Sequence, residues 1–92
     1  MAAPITDNAR PRLTAGVRLQ TDASTGKQVL LFPEGILELN ETAGEILTRC
    51  DGRTVSEIVF ALAEEYEAEP AAISSDVRET IADLQGRKLL QS

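Results

Sequence analysis

Residues 30–43 read Leu30-Leu31-Phe32-Pro33-Glu34-Gly35-Ile36-Leu37-Glu38-Leu39-Asn40-Glu41-Thr42-Ala43, or LLFPEGILELNETA. Their reading decides the fold: an apolar run, a corner, an alternating run and a helix start. Pro33 fixes φ at the corner, and Gly35 gives the chain freedom at its exit. Ile36–Leu39 then alternates as a short strand, with Leu37 and Leu39 on one face and Ile36 and Glu38 on the other. Asn40 is placed to cap a helix by accepting an orphaned backbone N–H, and Thr42 with Glu45 offers a competing capping box two residues later.

Toward the N-terminus, Lys27–Phe32 reads as the strand that returns into this corner. Its run Val29-Leu30-Leu31-Phe32 is too apolar to be exposed on both faces. Asp22-Ala23-Ser24-Thr25-Gly26 is a hairpin loop ending in a glycine that tolerates positive φ. Val17-Arg18-Leu19-Gln20 alternates apolar and polar, as a first half-buried strand should. Residues 1–12 hold Pro4 and Pro11 and little periodicity, so they read as a flexible arm ahead of a single domain over 13–92.

Toward the C-terminus three helices follow. Leu39, Ala43, Ile46, Leu47 and Cys50 recur at helical spacing, and Asp51-Gly52 ends that helix. Thr54-Val55-Ser56-Glu57 is a capping box, followed by an apolar face of Val55, Ile58, Val59, Leu62, Ala63 and Tyr66. Pro70 interrupts. Ser74 or Ser75 then caps a third helix with Ile73, Val77, Ile81 and Leu84 as its core stripe. Leu89-Leu90 tuck back onto the core. The expected class is α+β and winged-helix-like: an N-terminal three-stranded antiparallel sheet followed by a three-helix bundle.

Ninety-two residues, 42% hydrophobic and 26% charged, suffice for one small core. No apolar run approaches the roughly 18 residues of a membrane span. The start, MAAPITDNAR, lacks a signal peptide's basic and apolar regions, and the single cysteine cannot pair internally; both point to the cytoplasm. The net charge is −6. Such acidity argues against phosphate backbones, whose binding depends on Lys and Arg.

The chain contains no histidine, which removes the commonest general base and zinc ligand. Cys50 falls at a buried helical position with no histidine to activate it. No dinucleotide or P-loop glycine pattern occurs. Neither catalysis nor a cofactor or metal is expected. A DNA-binding winged helix is the alternative reading, but its recognition helix, Ser75–Gln85, would carry three acidic residues and one basic. Binding of an extended peptide remains: a free sheet edge at Ile36–Leu39 can accept one more strand, with the third helix alongside. Exchange of the arm or of that strand between copies would give a dimer; otherwise the chain is a monomer.

Ordered along the chain are Pro11-Arg12-Leu13, Gly16-Val17-Arg18-Leu19, Leu30-Leu31-Phe32-Pro33-Glu34-Gly35, Leu39-Asn40-Glu41-Thr42-Ala43, Ile46-Leu47, Cys50-Asp51-Gly52 and Asp76-Val77. From residue 11 to residue 90 this series resembles the PqqD family, the peptide chaperones of pyrroloquinoline quinone (PQQ) biosynthesis. Phe32 replaces a tyrosine common in the family, and the tail Gly86-Arg87-Lys88-Leu89-Leu90 shifts the usual glycine. The resemblance implies a non-catalytic RiPP recognition element, a domain that binds the leaders of ribosomally made, modified peptides. It would bind the precursor peptide PqqA and present it to PqqE, a radical SAM enzyme that links a glutamate to a tyrosine of that peptide. It further implies a leader strand beside Ile36, Leu37, Glu38 and Leu39, packed on a helix face of Val77, Arg78, Ile81 and Gln85, with Arg78 meeting an acidic group.

Overall fold

The computed structural model describes residues 5–91. A three-stranded antiparallel sheet is built from β2 (Arg18–Thr21), β3 (Gln28–Phe32) and β4 (Gly35–Glu38), in the order β2-β3-β4. The expected first, second and third strands are thus β2, β3 and β4. They are preceded by a two-residue strand, β1 (Arg12–Leu13), which pairs with β5 (Leu90–Gln91) at the far end of the chain. Helices α1 (Glu41–Thr48), α2 (Val55–Glu65) and α3 (Pro70–Gly86) lie between β4 and β5.

The corner of the opening stretch works as the sequence suggests. Phe32 pairs with Gly35, leaving Pro33 and Glu34 as a two-residue turn. Proline cannot adopt the positive φ of the primed turns that match strand twist, and Gly35 absorbs the mismatch at φ 156°.

Leu30 on β3 is fully buried, and its cross-strand partner Leu37 packs against the same core. Leu39, just past β4, joins them at 6% exposure. The inner face of the sheet thereby rests on the helices, where Ile46 and Leu47 of α1, Ile58 and Leu62 of α2, and Val77, Ile81 and Leu84 of α3 close the core.

Helix starts follow short-range chemistry. Asn40 Oδ1 accepts from the Ala43 N–H at 2.7 Å, so α1 begins there and the competing Thr42 box is not used. Thr54 caps α2 reciprocally: its hydroxyl accepts from the Glu57 N–H at 3.1 Å, and Glu57 accepts from the Thr54 N–H at 2.8 Å. The third helix departs from expectation. It begins at Pro70 rather than near Ser74, because proline lacks only an N–H that the first turn would leave unbonded anyway. Tyr66, expected on the apolar face of α2, is instead its C-cap and is 45% exposed.

The expected arm also behaves differently where it is described; its residues 1–4 lie outside the described range. The carbonyls of Ala9 and Asp7 accept from the N–H groups of Val55 and Ser56, at 2.8 and 3.1 Å. These are donors that the first turn of α2 cannot satisfy internally. Pro11 is fully buried, and Arg78 of α3 donates to the Ile5 carbonyl and the Asp7 carboxylate. The boundary drawn between 12 and 13 falls inside β1.

Removing the cap of α2 by Thr54→Ala is expected to cost about 1 kcal/mol. In a domain of this size that lowers Tm by about 4–8 °C in a thermal melt. Donation from the Thr54 backbone N–H, with the Thr54 hydroxyl beside it, holds the Glu57 carboxyl below the usual carboxylate range. A depressed acid stabilises above its unfolded pKa and ceases to do so as pH falls through its folded one. The Tm gap between the native chain and Glu57→Gln should therefore close on acidification below about pH 4.

Candidate functional site

β3 is the central strand, so β4 pairs on one side only. Among the described residues no strand covers its other side. The Leu39 N–H donates to the Gln28 carbonyl at 3.0 Å, which makes that opposed pair a bonded one. Bonded and non-bonded pairs alternate in an antiparallel ladder, so Leu37 turns its backbone groups toward β3. Ile36 and Glu38 turn theirs outward. The side chain of Ile36, on the outer face of the sheet, is 69% exposed. Glu38 on that face meets Lys27 at 3.2 Å, a solvent-screened pair of little energetic weight.

Along this edge runs an open groove of about 620 Å³ between β4 and α3. Leu37, Leu39, Ala43 and Leu84 provide its apolar surface. Asp76, Glu79, Thr80, Asp83 and Arg87 line it from the α3 side. A second hollow, on the other side of Leu39 and Asn40, is bounded by Lys27, Gln28 and Glu45.

The residues expected to form the site separate into two groups. Leu37, Glu38 and Leu39 border the groove, with Ile36 on the same free edge. Those named on α3 do not line it. Val77 and Ile81 are fully buried in the core. Arg78 bonds Ser74 Oγ at 3.0 Å and the Ile5–Asp7 segment, on the side away from β4. Gln85 shares the Arg78 flank by the helical repeat. Asp76, Thr80, Asp83 and Arg87 stand one position before or three after the core stripe, and Glu79 lies further round the same flank. The stripe itself was readable from periodicity; which of its two flanks turns to the strand was not, since both are polar.

The other reactive side chains are occupied in structure. Cys50 is buried, its Sγ lies 3.3 Å from the Ile46 carbonyl, and burial pushes the thiol up to about 12. Arg49 joins Glu45 of α1 at 2.8 Å and Glu65 of α2, tying those helices together. No three acidic or sulfur ligands converge on a common point among the described residues. No helix there is long and apolar enough to cross a membrane.

The sequence profile described as Coenzyme PQQ synthesis protein D (PqqD) matches residues 27–90, which include β3, β4, all three helices and the groove. The chain belongs to the PqqD family. A "PqqA binding protein" of Xanthomonas oryzae pv. oryzae is 44% identical over 88 residues, 95% of this chain and 96% of that protein. The solution structure of the PqqD truncation of Methylobacterium extorquens PqqCD is 38% identical with a TM-score of 0.84. It covers 96% of this chain and 95% of its own, and is described as a functional, stand-alone RiPP recognition element. A lasso peptide synthetase B1 complexed with its leader peptide superposes with a TM-score of 0.78 at 26% identity, over 91% of this chain and 100% of that one. The PqqD assignment and the α+β fold thus rest on sequence and on structure alike.

A thiol as buried and as weakly acidic as Cys50 should not react with a thiol-specific disulfide reagent at pH 8 in the native protein. Addition of denaturant should release one equivalent of reactive thiol. Stoichiometric reaction of the folded chain would contradict the burial described.

Proposed function

We propose that this chain is a non-catalytic peptide adaptor: it takes up a PqqA-like precursor as an added strand along β4 and holds it for a PqqE-like radical SAM enzyme. The observation that carries the reading is the unpaired edge of β4, with the backbone groups of Ile36 and Glu38 turned outward beside a groove. The PqqA-binding name of the Xanthomonas relative and the leader bound to the lasso synthetase protein support it.

Magnitudes say how the work divides. Ile36 and Glu38 together offer two donors and two acceptors, each worth about 1 kcal/mol net when bonded. Ordering each peptide residue costs about 1–2 kcal/mol of backbone entropy. Main-chain pairing over four residues is therefore neutral at best, and it sets register and direction. Net affinity comes from peptide side chains that bury against Leu37, Leu39 and Leu84 in the groove. An adaptor of this kind accelerates the enzyme by raising the local concentration of a flexible substrate. DNA binding finds no support in the groove, whose α3 wall carries carboxylates.

The test leaves the protein untouched. A labelled PqqA-type precursor is titrated by fluorescence anisotropy while single backbone nitrogens of the peptide are methylated in turn. Strand addition predicts that every second methylation across the docked segment weakens binding about tenfold, each deleting one bond and leaving an acceptor unpaired. A flat scan would sink the reading. As a companion, Glu38→Pro removes an outward donor without touching the ladder to β3 and should weaken binding similarly. Native-like circular dichroism of that variant together with undiminished affinity would also contradict strand addition.

A further inference from the structure

The charges of α3 are segregated. All three of its carboxylates, Asp76, Glu79 and Asp83, line the groove and are exposed. Its one internal cation, Arg78, lies on the opposite flank, engaged with Asp7. Glu38 borders the groove but turns its carboxylate to Lys27 on the outer face, while Arg87 at the end of the groove is held by Asp83 at 3.2 Å. Solubility needs acidic residues somewhere on the surface but does not require them on one flank of one helix. Between these carboxylates and the strand lie Leu37, Leu39 and Leu84. An apolar floor under an acidic wall matches a side chain with a long hydrocarbon stem and a cationic head.

A strand laid along β4 turns every second side chain toward this floor and wall. We infer that the groove selects peptides carrying Lys or Arg at the alternate positions that face α3, with Asp76, Glu79 and Asp83 as the specificity-determining residues. The inference rests on strand addition at β4 and deepens it by fixing the chemistry of the peptide. Carboxylates at those peptide positions face like charges, and like-charge contacts discriminate more strongly than matched ones attract.

The experiment replaces each position of the PqqA-type precursor in turn by Lys and by Glu and measures affinity for the full chain by anisotropy. At alternate positions Glu should weaken binding about tenfold relative to Lys, and the intervening positions should show little preference. In the triple variant Asp76→Asn, Glu79→Gln, Asp83→Asn, whose changes are isosteric and exposed, the Lys-over-Glu preference should fall below about twofold. Added salt should erode it in the native chain as well. A precursor that binds but tolerates Lys and Glu equally at every position overturns charge selection and leaves strand addition standing. A preference that survives intact in the triple variant overturns the assignment to α3. If no member of the series binds, strand addition itself fails and this inference with it.

Discussion

Burial of Val77, Ile81 and Leu84 fixes the rotation of α3 about its own axis, and the character of the β4 edge depends on that rotation. Side chains follow one another at about 100° around a helix, so seating one stripe assigns both flanks. One flank, with Asp76, Thr80 and Asp83, is turned to β4; the other, with Ser74 and Arg78, is turned to the N-terminal segment. The same three apolar residues share one core with Leu30 of β3 and with Leu39 just past β4. A slip of α3 by one residue would exchange a polar flank for part of the core, at a cost of about 1.5–3 kcal/mol for each large side chain exposed.

The N-terminal segment contributes at the opposite side. Its carbonyls complete the first turn of α2, and its contact with Arg78 occupies the one cation that would otherwise stand on α3. The two ends of the chain then meet as β1 and β5, where Leu90 is buried. Structure at one flank of α3 thereby keeps that cation away from the groove, where Asp76, Glu79 and Asp83 stand.

Much of the fold is legible in the sequence, because its signals are local. The corner at Pro33–Gly35, the caps at Asn40 and Thr54, and the apolar stripes of all three helices depend on residues within one or two turns of each other. The start of α3 is ambiguous in the sequence because proline signals both the end of one helix and the start of the next, and Ser74 and Ser75 offer a competing cap. The anchoring of residues 5–12 is hard to read from sequence, since much of it uses backbone carbonyls, which every residue type supplies, and its ion pair, Asp7 with Arg78, spans the chain. On β4, alternation tells which side chains turn inward. On α3, periodicity finds the buried stripe, and only the tertiary arrangement tells which polar flank faces the strand. Arg78 stands out as a cation on an acidic helix, yet apart from Ser74 its partners are more than 70 positions away in the chain.

An unpaired strand is also a template for its own kind. Two copies of β4 could join edge to edge about a two-fold axis into one continuous sheet, and the exposed Ile36 would favour it. That axis keeps both α3 helices on the same face of the joined sheet, so the two acidic walls would oppose each other across the seam. The repulsion between Asp76, Glu79 and Asp83 and their symmetry mates works against self-association, while a single extended chain brings no such wall. The carboxylates that line the groove thus oppose pairing of this edge with a second copy of itself.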